Sequence, residues 1–219
     1  MSAGAAYFDY PHRRKGLDHA RFPHRYLATA KPVAWPGGER LLIWITIHAE
    51  HFPMDMPAKP FAPLGGMERP YPSVWDFSAR DYGNRVGIFR IMKVLDRYGL
   101  RASVAMNAEV AQRYPHLVGE ITRRNWEIVA SGLDMGRLHH GLVPAEEERR
   151  AVRDSFDILR RASGQPVKGW HSPAHSQSAH TPDLVAEAGA DFICDWINDD
   201  MPYAFTTEGG ALTQLPLSY

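Results

Sequence analysis

The feature that most constrains the fold is a regular alternation of short apolar segments with longer helical segments after residue 40. Alternating strands and helices favour a parallel sheet in which helices connect the strands. Two architectures have this pattern, a closed (β/α) barrel and an open, doubly wound sheet. The open sheet usually has a glycine-rich phosphate loop after its first strand, whereas "HAEHFP" stands there in this chain. The alternation therefore predicts an α/β barrel.

The predicted strands are "RLLIWITIH" from residue 40, "RASVAM" from 101, "WEIVAS" from 126, "VKGWHS" from 167, "DFICDW" from 191 and the tail "GALTQLPLSY" from 210. Helices are predicted over 84–99, on both sides of Pro115, over 144–164 and over 181–189. The expected buried stripe of the 84–99 helix is Ile88, Ile91, Met92 and Leu95, and that of the 144–164 helix is Val152, Phe156 and Leu159. Gly99 and Gly164 are expected to end these two helices.

Composition excludes several classes of protein. Lys+Arg and Asp+Glu number 25 each, so no basic field attracts nucleic acid or an anionic membrane. The longest apolar run, "LLIWI" at 41–45, is too short to span a bilayer, and the first residues lack the apolar core of a signal peptide. The single cysteine, Cys194, excludes a disulfide framework and a thiolate zinc site. We therefore expect a cytoplasmic protein that binds neither nucleic acid nor membrane.

Proline and glycine define two irregular regions. Residues 1–38 have no sustained periodicity, and we expect an irregular N-terminal arm that lies over a domain of residues 39–219. Six prolines between 53 and 72 forbid regular structure there. A loop of this length is more often a lid or a binding loop than a mobile insertion, and both interpretations stay open.

Ionisable residues concentrate directly after the predicted strands, where seven of the eleven histidines stand. Functional groups of a (β/α) barrel come from the carboxyl ends of several strands, so this placement predicts a functional site. His48 and Glu50 share one face of the first strand and are candidates for an acid–base pair. Alternatives remain for single members, since His139-His140 and Asp199-Asp200 also suit ordinary turns.

The segments "RDYGNRVGIFRIMKVLDRYGLRASVAMNAEVAQRYP", "WEIVASG", "ASGQPVKGWHSPAHSQSAHTPDLVAEAGADFICDWINDDMPY" and "LTQLP" resemble the NodB-homology polysaccharide deacetylase superfamily. The resemblance covers roughly residues 40–219 and is nearest to the branch with metal-independent allantoinase and related amide hydrolases. It implies a distorted (β/α) barrel that hydrolyses a non-peptide C–N bond, such as the N-acetyl bond of an amino sugar. The substrate class is then a small amide, ureide or amino sugar, and a homo-oligomer is left open.

Departures from the family motifs bear on the metal. Metal-using members end the first strand in Thr-Phe-Asp-Asp-Gly, where this chain has His48, Ala49 and Glu50. The two imidazoles of the family's His-Ser-x-x-His motif are replaced by Ser131 and Met135. The resemblance therefore favours no metal. If a zinc-like divalent ion is bound, the expected ligands are Glu50, Asp134 and His139, with His140 as the alternative to His139.

Later motifs are kept in part. The family's Arg-x-Pro becomes His171-Ser-Pro, and its Asp-Trp is kept as Asp195-Trp196. Its late Leu-x-His motif does not occur before Tyr219, so we expect a barrel that is incomplete at its C-terminus. An open sheet edge would then need a cover.

The predicted catalytic residues are Glu50 as general base on a water, His171 or backbone amides as stabilisers of the oxyanion, and Asp195 to orient His171. The predicted substrate-binding residues are His48, His51, Trp170, Trp196 and Asp199. The leading interpretation is an amide or cyclic-ureide hydrolase. The alternatives are a catalytically degenerate binding protein of the same fold, a truncated gene product, or an unrelated α/β protein.

Overall fold

The computed structural model describes residues 19–30, 33–56 and 72–217. Within these ranges the chain forms seven strands: β1 (Thr46–Ala49), β2 (Ser103–Met106), β3 (Glu127–Ala130), β4 (Gly169–Trp170), β5 (Phe192–Ile193), β6 (Tyr203–Thr207) and β7 (Gly210–Gln214). The helices in the same ranges are α1 (Val74–Tyr82), α2 (Ile88–Tyr98), α3 (Ala108–Arg113), α4 (Pro115–Arg123), α5 (Ala145–Ser163) and α6 (Thr181–Glu187). The alternation predicted from sequence is confirmed, but the predicted six strands omit β6.

All seven strands form one sheet in the order β1-β2-β3-β4-β5-β7-β6. Pairing is parallel from β1 to β5 and between β5 and β7, whereas β6 and β7 form an antiparallel hairpin. The predicted parallel α/β architecture is confirmed. In the part of the chain that the structure describes, β1 and β6 are the two edges and the sheet is not closed.

The first strand begins later than predicted. Its ladder with β2 starts where Thr46 pairs with Ser103, and residues 41–43 are exposed. These apolar residues have no strand beside them because β2 begins only at Ser103. The hydrophobic run alone therefore overstated the length of β1.

Helix α2 confirms most of its predicted stripe. Ile88, Met92 and Leu95 are buried, but Ile91 is 43% exposed and was wrongly placed in the core. A π-helical turn, Gly83–Gly87, connects α1 to α2, so the helix starts at residue 74 rather than 84. Gly99 ends α2 in the left-handed conformation, with φ of 63°.

Helix α5 packs on the strands that carry the candidate site. Val152, Phe156 and Leu159 are fully buried as predicted, and the Phe156 ring stacks on Trp170 of β4 at 5.7 Å between centroids. Gly164 ends the helix with φ of 69°. Burial of side chains of this size stabilises the fold by roughly 1.5–3 kcal/mol each, so α5 holds β4 firmly in place.

The N-terminal segment contacts the domain at residues 19–30. Arg21 is fully buried, and its backbone carbonyl accepts a hydrogen bond from the Thr206 amide at 2.7 Å. The remainder of the predicted arm in residues 1–18 and 31–32, and most of the proline-rich loop (57–71), lie outside the described residues. The boundary at residue 38 stays a prediction. None of the described helices has the length and apolar character that a membrane crossing requires.

Candidate active site

The candidate site lies where the parallel strands end. Backbone hydrogen bonds extend the ladder by one residue past the strands, from the His171 amide to the Ala130 carbonyl and from the Cys194 amide to the Trp170 carbonyl, both at 2.9 Å. The residues that follow β1, β3, β4 and β5 therefore all leave the sheet at the carboxyl end of its parallel strands, as the sequence predicted.

His48 and Glu50 form the first part of the site. Glu50 Oε1 lies 3.8 Å from His48 Nδ1, and the His48 ring lies edge-on to His171 with 4.8 Å between centroids. Burial raises the pKa of Glu50, although the charge of Arg80 opposes this rise. Burial, and then the neighbouring His175, lowers the pKa of His48. A carboxylate with a raised pKa beside a neutral imidazole is suited to proton transfer near neutral pH.

Two asparagines hold the end of β1 in place. Asn84, in the π-helical turn, donates a hydrogen bond from Nδ2 to the Glu50 carbonyl at 2.7 Å. Asn107 accepts one from the His51 amide at 2.8 Å and donates another to the Ser131 carbonyl. π-turns inside helices are frequent at functional sites. Sequence reasoning missed both residues, and the available signal for Asn107 was its place directly after β2.

His171 and His175 form the second part of the site. Their Nε2 atoms lie 3.3 Å apart, and His171 is 2% exposed. Burial, then the adjacent His48 and His175, lowers the pKa of His171 to about 3, so this imidazole is neutral at physiological pH. His175 was not among the predicted site residues. A short 3-10 turn, Pro173–His175, turns its ring back towards His171.

Asp195 completes this second part. Its Oδ1 accepts a hydrogen bond from the Ser172 amide at 2.6 Å, and its Oδ2 accepts from Ser172 Oγ at 2.7 Å and from Gln177 Nε2 at 2.5 Å. Burial raises the pKa of Asp195. These hydrogen bonds of Asp195 go to Ser172 and Gln177 rather than to His171, so its role in orienting His171 stays a prediction.

The three ligands predicted in case a metal is bound are not brought together, and a different group is. Among the described residues, one group of three metal-ligating side chains has its ligand atoms within 4.8 Å of one another, namely His171, His175 and Asp195. Glu50, Asp134 and His139 do not form such a group.

Asp134 and His139 are held by other partners. Asp134 Oδ1 accepts a hydrogen bond from the Gly136 amide at 2.8 Å, and this bond stabilises a local turn. His139 is buried, with Nδ1 3.2 Å from Glu148 Oε1. His140, its alternative, is exposed.

The metal positions implied by the family motif do not fit a metal here. Ser131 and Met135, which replace the two imidazoles, are both buried, and neither side chain is a usual ligand for zinc.

Three predicted substrate-binding residues have other roles. Trp170 is fully buried against Phe156 and belongs to the core, because an inaccessible indole cannot reach a ligand. His51 is 5% exposed and its ring contacts Phe77 of α1 at 6.3 Å. Asp199 forms an ion pair with Arg25 at 3.0 Å.

Trp196 remains a candidate for substrate contact. It is partly exposed, and its Nε1 donates to Gln177 Oε1 at 3.0 Å. The same Gln177 amide group binds Asp195, so Trp196 adjoins the second part of the site.

Comparisons with known proteins agree with this fold. The profile of the family described as "Polysaccharide deacetylase" matches residues 80–193, which is more than half of the chain. A protein of Schizosaccharomyces pombe named "Putative polysaccharide deacetylase" is 25% identical over 176 residues, which are 76% of this chain and 52% of that protein. The chain thus spans about half the length of this curated relative.

Two crystal structures are similar in three dimensions. A "putative polysaccharide deacetylase" from Mycobacterium smegmatis has a TM-score of 0.65 and 26% identity, covering 87% of this chain and 63% of that chain. "Puue Allantoinase" has a TM-score of 0.73 and 20% identity, covering 91% of this chain and 70% of that chain. The expected barrel type, with its sheet left open here, is confirmed. The chain belongs to the polysaccharide deacetylase family.

Proposed function

We propose that this chain hydrolyses a non-peptide C–N bond in a small amide or cyclic ureide, with Glu50 as the general base. The observation that carries the proposal is the pairing of Glu50 with His48 at the end of β1, next to the buried His171. Membership of the polysaccharide deacetylase family supports an amide-hydrolysing reaction class.

In this mechanism Glu50 removes a proton from a water, which attacks the substrate carbonyl carbon. A tetrahedral intermediate forms, and its oxyanion is stabilised on the side of His171 and the nearby backbone amides. The proton taken by Glu50 passes to the leaving nitrogen, directly or through His48, as the C–N bond breaks. Asp195 positions this half of the site through Ser172, because both its oxygens bind that residue.

The choice between ureides and amino sugars rests on the first and second family motifs. His48, Glu50, Ser131 and Met135 stand where metal-using deacetylases have aspartates and histidines. The similarity in fold to "Puue Allantoinase" is consistent with a cyclic ureide substrate. N-acetylated amino sugars are the second substrate class.

The test is a panel of cyclic ureides, linear amides and N-acetylglucosamine oligomers, assayed with the intact chain and with Glu50→Gln. We expect turnover by the intact chain and a loss of about 10²–10⁴-fold in kcat for Glu50→Gln. His140→Ala is the matched control, since this exposed histidine lies outside the cluster. Full turnover by Glu50→Gln would overturn the assignment of the base.

A binding protein without activity is the second candidate. The loss of both motif imidazoles at Ser131 and Met135 favours it. A ligand from the panel that binds the intact chain but is never hydrolysed would identify this function instead.

A further inference from the structure

The geometry of His171 and His175 is that of two ligands sharing one ion. Two imidazole nitrogens bound at about 2.0–2.1 Å to a tetrahedral ion lie roughly 3.3 Å apart. The observed separation of the two Nε2 atoms is 3.3 Å. Nitrogen–nitrogen hydrogen bonds at this distance are long, and both rings come from one short segment that folds back on itself.

Asp195 brings a buried carboxylate to the same two imidazoles, and the ligand atoms of the three side chains lie within 4.8 Å of one another. Asp195 is 8% exposed, and its oxygens accept hydrogen bonds from Ser172 and Gln177. Burying a carboxylate is costly even when it accepts hydrogen bonds, and a bound cation offsets that cost. Its Oδ1 accepts one hydrogen bond, and a carboxylate oxygen has room for two acceptor contacts, so this oxygen can also bind a cation.

The backbone at His175 is strained, and this conformation places the His175 ring beside His171. Ala174 and His175 both have φ of 53°, a left-handed conformation that non-glycine residues rarely adopt. Such strain persists where the surrounding structure enforces it, and it is concentrated at functional sites. Hydrogen bonds from Ser172 and Gln177 orient the carboxylate, as outer partners of metal ligands commonly do.

We propose that His171, His175 and Asp195 bind a divalent cation of the zinc class at the carboxyl ends of β4 and β5. Two imidazoles and one carboxylate form a ligand set that zinc and other first-row divalent ions accept, with a further position left for water or substrate. The bound cation then neutralises the buried charge of Asp195.

This cation site deepens the proposed function. Any role of the ion in catalysis rests on that proposed function. His48 lies between this site and Glu50, since it contacts both Glu50 and His171. Positive charge at this place would stabilise an oxyanion. The ligands of the cation site follow β4 and β5, whereas Ser131 and Met135, which replace the two family imidazoles, follow β3. Binding of the ion itself can be measured without any substrate.

The test is titration of the full chain, first treated with chelator, with Co²⁺ and Zn²⁺. The visible absorption of Co²⁺ reports its coordination, and elemental analysis after dialysis reports stoichiometry. We expect one ion per chain, a tetrahedral-type Co²⁺ spectrum that Zn²⁺ abolishes, and a higher melting temperature with Zn²⁺.

His175→Ala and Asp195→Asn should each weaken binding by at least about 10- to 100-fold. His140→Ala, an exposed histidine outside the group, is the matched control and should bind as the intact chain does. Circular dichroism checks that each variant is folded. If Asp195→Asn fails to fold, His171→Gln replaces it in the comparison.

Substoichiometric Co²⁺, or equal binding by His175→Ala and the intact chain, would overturn the proposal. Glu50→Gln separates this inference from the proposed function. It should lose turnover and keep the Co²⁺ spectrum, because Glu50 is not a ligand. A normal spectrum in a chain that hydrolyses nothing would reject the proposed function and leave the cation site standing.

Discussion

Glu50 lies 3.8 Å from His48, and its pKa is set by two opposing effects, burial and the charge of Arg80. Burial disfavours the carboxylate and is the larger effect, so the pKa is raised. Arg80, on α1, lowers it and thereby keeps Glu50 ionised at a lower pH than burial alone would allow. This relationship links a helix that the sequence analysis did not predict to the proposed base.

Arg80→Gln tests this link through the pH dependence of kcat/KM. The base must be ionised, so activity rises as the pH passes the Glu50 pKa. Removing the cation raises that pKa, and the acid limb should move to higher pH by up to about one unit. Arg80→Lys keeps the charge and should leave the limb near its original place. An unchanged limb in Arg80→Gln would show that another group is titrating.

Glu50→Gln should stabilise the folded chain at neutral pH while lowering kcat by about 10²–10⁴-fold. The pKa of Glu50 is higher in the folded than in the unfolded chain, so the ionised form destabilises the fold as the pH rises through these values. The gain should be largest above the folded pKa and vanish below about pH 4.5. If removing the charge is worth about 1 kcal/mol, the melting temperature rises by roughly 2–4 °C. Exposed Glu208→Gln, the control, should not change it.

Gly132→Ala should disturb the group of His171, His175 and Asp195 more than the left-handed backbone at Gly132 alone would explain. Gly132 and Gly164 both have positive φ, at 66° and 69°. An added Cβ at Gly132 would lie 2.5 Å from Pro173 Cγ, whereas one at Gly164 meets nothing within 4 Å. Both substitutions cost about 1–2 kcal/mol from the left-handed conformation. Gly132→Ala alone should also weaken Co²⁺ binding, because Pro173 begins the turn that carries His175. Equal effects in the two variants would contradict this.

Glu148→Gln should destabilise the fold in a pH-dependent way. Burial by itself would raise the pKa of Glu148, but hydrogen bonds from His139, Ser178 and Thr181 lower it overall. A lowered carboxyl pKa contributes stability that is present above its unfolded value and lost as the pH falls through the folded value. The expected loss at pH 7 is about 1–3 kcal/mol by urea unfolding, and it should shrink on acidification. Exposed Glu147→Gln, one residue earlier in α5, is the control and should cost within about 0.5 kcal/mol.

Arg21→Met should break the contact between the N-terminal segment and the domain and destabilise the fold. The Arg21 guanidinium is fully buried and donates to both carboxylate oxygens of Asp183, at 3.1 and 2.9 Å. Breaking a buried pair of this kind costs about 3–5 kcal/mol, because one charge stays buried. The side chains of the Arg25–Asp199 pair are 36% and 27% exposed, and Arg25→Met should cost less than about 1 kcal/mol. Similar urea midpoints for the two variants would refute this assignment.

The sequence predicted the parts of the site that depend on local pattern. His48 and Glu50 could be placed on one face of a strand because side chains alternate along it, and strand ends could be recognised by their ionisable residues. Where the pattern was ambiguous, prediction failed. The run at 41–43 is apolar yet exposed, and Ile91 fits a helical stripe that the sheet does not cover.

Partners that are distant in sequence could not be predicted in the same way. Asp195 was expected to hold His171, but Ser172 and Gln177 occupy its oxygens, because a turn with two positive φ values brings residues 172–177 over it. That same turn brings His175 within 3.3 Å of His171. The expected ligands Asp134 and His139 instead satisfy a local turn and the buried Glu148.

The sequence by itself thus determined the alternating architecture, the end of the sheet at which chemistry-bearing groups collect, and the family to which the chain is similar. The tertiary structure alone decided which of those groups face one another. The physical reason is that periodicity encodes which face of a strand or helix is buried. Loop conformation and buried hydrogen bonds decide which side chains come into contact at the ends of the strands.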